Sequence, residues 1–185
     1  MFKVKIHDVK NASFEEARAF RAGARQLEEE LNDSYFWYEV AMVYNTWENK
    51  KDGDQNFKDF KAMVLGGSNA FDSHEDKILD VLVTFYYSFR SVIGYTTPST
   101  WKTWVNRRMI RNFDLADIAG HIWHESLHNQ GLGHPNTNRN SVVYQAGYLV
   151  RKRVKERLAL PTHIELIYKK ETFISKIKRL WRRLI

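Results

Sequence analysis

At 185 residues, with 43% hydrophobic and 14% aromatic side chains, the chain has enough apolar material for one packed domain with an appendage, which excludes an intrinsically disordered protein. Cysteine is absent, which excludes a disulfide framework, thiolate metal ligands and a nucleophilic thiol, and leaves the chemistry to nitrogen and oxygen groups. The net charge of +7 is uneven: of 29 Lys/Arg and 22 Asp/Glu, residues 151 to 185 hold 12 and 3, leaving 17 and 19 to residues 1 to 150, so the basic character belongs to the C-terminal tail.

Phe2 to Val9 alternates apolar and polar residues and predicts a half-buried strand. This N-terminus has no apolar run of signal-peptide length, and no segment approaches about 18 uninterrupted apolar residues, so cytoplasmic synthesis without a transmembrane segment is the expectation. Ser13 with Glu16 has capping-box spacing, and Phe14, Ala17, Phe20, Ala24, Leu27 and Leu31 recur at helical intervals until Asn32 and Asp33 close the helix. Tyr35 to Tyr44 is dense in aromatic and β-branched residues and reads as a second strand. Asn49 to Asn56 is a polar loop; Asp52, Asp54 and Asn56 have calcium-loop spacing, but the Gly and Glu that such a loop needs are missing, which favours a plain turn. Phe57 to Leu65 reads as a further strand ending at Gly66 and Gly67, and Ser68 to Asp76 as loop. Ile78 to Tyr87 is the strongest apolar run and predicts a buried strand. Val92 to Thr97 is the next strand, stopped at Pro98, and Trp101 to Ile110 alternates as another.

A central helix follows, capped by Asn112 or Asp114 with Asp117 three residues beyond the latter, and Leu115, Ile118, Ala119, Ile122 and Leu127 form the side that packs on the sheet. Within it lies His124-Glu125-x-x-His128. Residues four apart share one helix face, so both imidazoles can reach one ion. Gly131 can take the left-handed conformation that ends a helix and turns the chain back, bringing His134 in as a third ligand. Three protein ligands leave a fourth position to water, the arrangement of a catalytic zinc site. H-E-x-x-H alone arises by chance in roughly one or two sequences of this composition per hundred, the five-residue pattern in about a few per 100,000.

The pattern H-E-x-x-H-x-x-G-x-x-H resembles that of the metzincin clan of zinc endopeptidases, whose fixed positions are filled here by His124, Glu125, His128, Gly131 and His134. The resemblance implies an α+β domain with a twisted, mostly parallel sheet of about five strands on an N-terminal helix and the central helix, with a C-terminal helix. It implies one zinc ion on His124, His128 and His134, and Glu125 as general base and acid. In the clan a tight turn bearing methionine underlies the histidines; here that turn corresponds to Ser141 to Tyr144, Val143 stands at the place of the methionine, and no methionine follows Met109. Some relatives place a transition-state tyrosine just beyond, for which Tyr144 and Tyr148 are the candidates beside a core role. His121, one turn before His124, is either a supporting group or a histidine packed near the sheet.

Tyr148 to Leu158 has helical spacing and a basic outer face, and Pro161 ends it. From Phe173, apolar residues continue through Ile174, Ile177, Leu180, Trp181, Leu184 and Ile185 at helical intervals, with Lys and Arg opposite. The basic amphipathic helix in residues 161 to 185 docks on its own domain or, through residues 171 to 185, on an anionic membrane surface or an acidic partner; no nucleic-acid signature accompanies it. Residues 1 to 160 are then a zinc metalloendopeptidase domain acting on peptides or proteins. The alternatives are a zinc hydrolase of short or cell-wall peptides, and a non-catalytic scaffold acting through the cationic tail.

Overall fold

In a computed structural model, which describes residues 1–50, 55–67, 76–97, 101–134 and 139–159, the alternating N-terminal segment is strand β1 (Lys3–Lys10). Helix α1 (Phe14–Asn32) follows with both halves of its capping box made: Ser13 accepts from the Glu16 amide and the Glu16 carboxylate accepts from the Ser13 amide. The expected strand at Tyr35 to Tyr44 is instead helix α2 (Ser34–Val43). Asp33 caps it by accepting from the Tyr35 amide, and Phe36, Trp37, Val40 and Tyr44 turn to one buried side at helical spacing. Phe57 to Leu65 is likewise not a strand but helix α3 (Phe57–Gly66), capped by Asn56, with Phe60 and Val64 buried. Aromatic density here serves helix packing: Trp37, Tyr44, Phe57 and Phe60 meet ring to ring, and the Trp37 indole donates to the Leu31 carbonyl.

Strands β2 (Ile78–Tyr86) and β3 (Gly94–Thr97) fall where the apolar runs place them. Strand β4 (Lys102–Asn106) stops short of Ile110, because the Asn106 side chain accepts from the Arg108 amide and caps a single turn, α4 (Arg107–Ile110). The sheet therefore has four described strands, in the order β1-β2-β4-β3, and it is mixed: β1, β2 and β4 run parallel while β3 pairs antiparallel with β4 at the edge. This replaces the expected mostly parallel sheet of about five strands; two of the six segments read as strands are α2 and α3.

Leu79, Val81, Val83 and Phe85 of β2 share one sheet face with Val105 of β4, and α1 covers it, Phe20 meeting Phe85 edge-on at 5.1 Å. Helix α5 (Leu115–Asn129) lies beside α1, close enough that a Cβ on Gly23 would stand 2.5 Å from Ile118 Cγ2. The chain then forms α6 (Val142–Ala159). It starts six residues earlier than the periodicity suggests, so Ser141 to Tyr144 is no free turn: Ser141 bridges to Glu48 and Val142 opens the helix. Arg153 of α6 is held by Glu30, Asp33 and Glu39, which fasten α6 to α1 and α2. The chain divides into Met1–Val154 and Lys155–Ile185. The tail helix expected in residues 161 to 185, like Asp52, Asp54, most of Ser68 to Asp76, Pro98 and Pro161, lies outside the described residues.

Candidate metal centre

Helix α5 is fixed at both ends by local chemistry. At its start Asp114 and Asp117 form a reciprocal capping box, and Arg151 pairs with Asp117. At its end Gly131 has φ of +89°, the Gly131 amide donates to the His128 carbonyl and the Leu132 amide to that of Leu127. This double bond pattern is a Schellman motif, which a residue with a side chain at Gly131 would strain. Its product is direct: the Leu132 carbonyl lands 2.8 Å from His128 Nδ1, and the reversed chain returns His134 to the helix.

The three histidines converge. Ring centroids are 5.0 Å apart for His124 and His128, 5.2 Å for His124 and His134, and 4.9 Å for His128 and His134. Their ligand atoms all lie within 4.8 Å of one another, close enough to bind one metal ion, and they form the one such group among the described residues. The Nε2 atoms of His124 and His134 are 3.3 Å apart. A tetrahedral ion with bonds to nitrogen near 2.05 Å holds two ligand atoms about 3.4 Å apart, so this pair has the spacing zinc requires. His128 donates Nδ1–H to Leu132, which fixes the tautomer with Nε2 as the free lone pair. Burial pushes the His124 imidazole down to about 2, the other histidines adding to it against a hydrogen bond to the Val143 backbone, and it lowers His128 as well. These imidazoles are neutral at pH 7, the form that ligates a metal.

Val143 thus supports the site through its backbone on His124, not through a methionine-like turn beneath it. Helix α6 comes this close because two glycines cross: a Cβ on Gly120 would meet the Gly147 carbonyl at 2.7 Å, and one on Gly147 would lie 3.4 Å from His124 Cβ. The Tyr144 ring packs on His134 at 4.2 Å and on His124 at 4.8 Å. Tyr148 is 61% exposed and makes no ring contact or hydrogen bond with the histidines, so the structure leaves it out of the site.

Glu125 is buried, and burial pushes its carboxyl up to about 7 against the opposing hydrogen bond from Thr96. Thr96 Oγ1 donates to Oε2 at 2.8 Å, whereas Oε1 is 3.8 Å from His121 Nδ1, too far for a hydrogen bond. His121 is buried against Gly94, where an added Cβ would stand 2.8 Å from its ring, and its Nε2 has no partner; burial pushes it down to about 4. Sequence reasoning placed His124, Glu125, His128, Gly131 and His134 but missed Thr96, Gly120 and Gly147. The available signal for Thr96 was the alternation in β3, which puts Gly94 and Thr96 on the same face, one making room for His121 and the other reaching Glu125. No family model, no curated protein and no solved structure matches this chain.

Proposed function

We propose that the chain is a zinc-dependent metalloendopeptidase in which His124, His128 and His134 hold the ion and Glu125 is the general base and acid. The observation that carries this reading is the juxtaposition of three converging imidazoles with a buried carboxyl group on the residue after the first. The metzincin-like filling of all five fixed motif positions supports it, with the departure that Val143 lies in the first turn of a helix where that clan has its methionine turn. A structural site would enclose its ion with four side chains, whereas three leave a position for chemistry. When bound, zinc supplies a Lewis acid that lowers the pKa of a water toward roughly 7 and polarises a carbonyl.

The chain's own groups do the rest. Oε1 of Glu125, free of any hydrogen bond to His121, takes a proton from the attacking water and passes it to the leaving amine. Thr96 holds Oε2 and so fixes the carboxylate plane. Because β3 pairs only with β4 among the described residues and lies at the edge of their sheet, an extended peptide can add beside it as a further strand. Thr96 belongs to that strand, so a peptide laid along it passes Glu125.

Elemental analysis of the purified protein beside His134→Ala tests the site: about one zinc per chain is expected, with clear loss in the variant. Glu125→Gln should keep zinc and lose cleavage of casein, unstructured peptides or isolated peptidoglycan, a panel that also separates the substrate classes. No bound metal after zinc is added back would overturn the reading.

A further inference from the structure

The segment between β2 and β3 shows its apolar side chains to solvent and spends its backbone inward. Tyr87 is 60% exposed, Phe89 79%, Val92 45% and Ile93 39%. Asn106 is fully buried, and its amide holds this segment from beneath: Oδ1 accepts from the Ser88 amide, and Nδ2 faces the carbonyls of Ser88, Arg90 and Val92 at 3.1 to 3.2 Å. The Asn106 amide donates to the Ile93 carbonyl at 2.8 Å, and Arg108 Nη1 donates to that of Phe89 at 2.8 Å while its guanidinium stands over the Phe89 ring. The segment is thus ordered before it meets anything, so docking costs it little conformational entropy.

Charge is one-sided here. Between Asp80 and Asp114 there is no acidic residue, while Arg90, Lys102, Arg107, Arg108 and Arg111 are all present and exposed. Arg107 is paired with the Glu16 carboxylate, whereas Arg108 meets a neutral carbonyl and keeps its charge for a partner, alongside Arg90, Lys102 and Arg111.

We propose that this segment, Tyr87 to Ile93, docks the chain on an anionic lipid surface, its apolar side chains entering the headgroup and acyl boundary while Arg90, Arg108 and Arg111 meet lipid phosphates. Aromatic side chains suit the membrane interface and each nearby cation adds attraction to an anionic leaflet. Val92 and Ile93 decide against nucleic acid or sugar as the occupant, since aliphatic groups neither stack on bases nor offer polar contacts, whereas hydrocarbon accepts them. The segment is distinct in sequence from residues 171 to 185 and does not depend on the hydrolase reading. It adds a location to it, because the segment runs directly into β3, whose Thr96 touches Glu125.

The absence of cysteine gives a clean test in the full chain. Ser91→Cys in the segment and Lys58→Cys on α3, both exposed, each carry an environment-sensitive fluorophore and are mixed with phosphatidylcholine vesicles with or without phosphatidylglycerol. The probe at position 91 should shift to the blue and be quenched by nitroxide-labelled lipid only when phosphatidylglycerol is present, and the probe at position 58 should do neither. Phe89→Ser with Val92→Ser, which replaces two exposed side chains and leaves the backbone bonds to Asn106 in place, should weaken cosedimentation by about tenfold or more, and salt should weaken it as well. A position-91 probe that stays in water while the chain sediments would overturn the proposal in favour of another face, the tail included. No sedimentation at all would overturn it in favour of a protein partner.

Discussion

Thr96 Oγ1 donates to Glu125 Oε2 across 2.8 Å and also lies 3.3 Å from the Glu125 carbonyl, so the edge strand is tied to α5 at the residue beside the first histidine. A valine at position 96 keeps the shape and removes the donor, leaving a buried carboxylate oxygen without a partner. A hydrogen bond to a charged group is worth about 1.5 to 3 kcal/mol. Thr96→Val should therefore lower turnover by roughly tenfold to a hundredfold at unchanged zinc content, and Thr96→Ser should restore most of it. Peptide cleavage beside elemental analysis separates the cases, since loss of zinc in Thr96→Val would mean that the threonine props the helix and not the base.

Gly131 carries the reversal on which the placement of His128 and His134 depends. Its positive φ permits the pair of bonds to Leu127 and His128, which sets the Leu132 carbonyl on His128 and returns His134. A side chain there costs about 1 to 3 kcal/mol of backbone strain. Gly131→Ala should lower stability by about that amount and weaken zinc binding more than Gly131→Asn, because asparagine tolerates the left-handed region. Competition with a chromophoric chelator and urea denaturation measure the two effects; an alanine variant with wild-type zinc affinity would show that His134 reaches the site without this turn.

These two relationships mark what the sequence made legible. Caps and turns act over a few residues, so Ser13 with Glu16, Asp114 with Asp117, and Gly131 after His128 could be read from spacing and were found as read. Tyr35 to Tyr44 and Phe57 to Leu65 misled because aromatic and branched residues suit strands in general. Here burial of Trp37, Tyr44 and Phe60 in one cluster, with a helical cap before each segment, decided otherwise. Thr96 and Glu125 are 29 positions apart, and they meet only because β3 turns back along β4 to the sheet edge. Val143 reaches His124 through the crossing of α6 over α5. Strand order and helix crossing are tertiary facts that no periodicity within one element encodes.

The crossing itself is testable at Gly120. Its missing Cβ leaves room for the Gly147 carbonyl, which would stand 2.7 Å from the added atom, and backbone cannot yield as a flexible side chain does. Overpacking of this kind costs about 1 to 3 kcal/mol. Gly120→Ala should lower stability by that amount and, by lifting α6, loosen the Val143 backbone and the Tyr144 ring from His124, weakening zinc affinity as well. Wild-type zinc affinity in a destabilised Gly120→Ala protein would separate the support of α6 from the metal site.

Stability of the chelator-treated protein should depend on pH with a definite sign. Burial holds His121 at about 4 and His124 at about 2, against an ordinary 6.5, and lowers His128. Below pH 6.5 the unfolded chain protonates these imidazoles and the folded chain does not, so the unfolded state binds more protons and stability falls as pH drops. Glu125 acts in the opposite sense: raised from 4.5 to about 7, it favours the folded state below 4.5 and loses that contribution as pH rises to 7. Glu30, raised by burial, acts in the same sense as Glu125. Between 6.5 and 4.5 the three histidines outweigh the two carboxyls, so the urea midpoint should move down as the solution is acidified. His121→Asn removes one of the histidines, and its stability should fall less steeply by about 1.4 kcal/mol per pH unit over that range. Tryptophan fluorescence with a chelator present reads both curves; parallel slopes for the variant and the parent would mean that His121 is not held neutral in the fold.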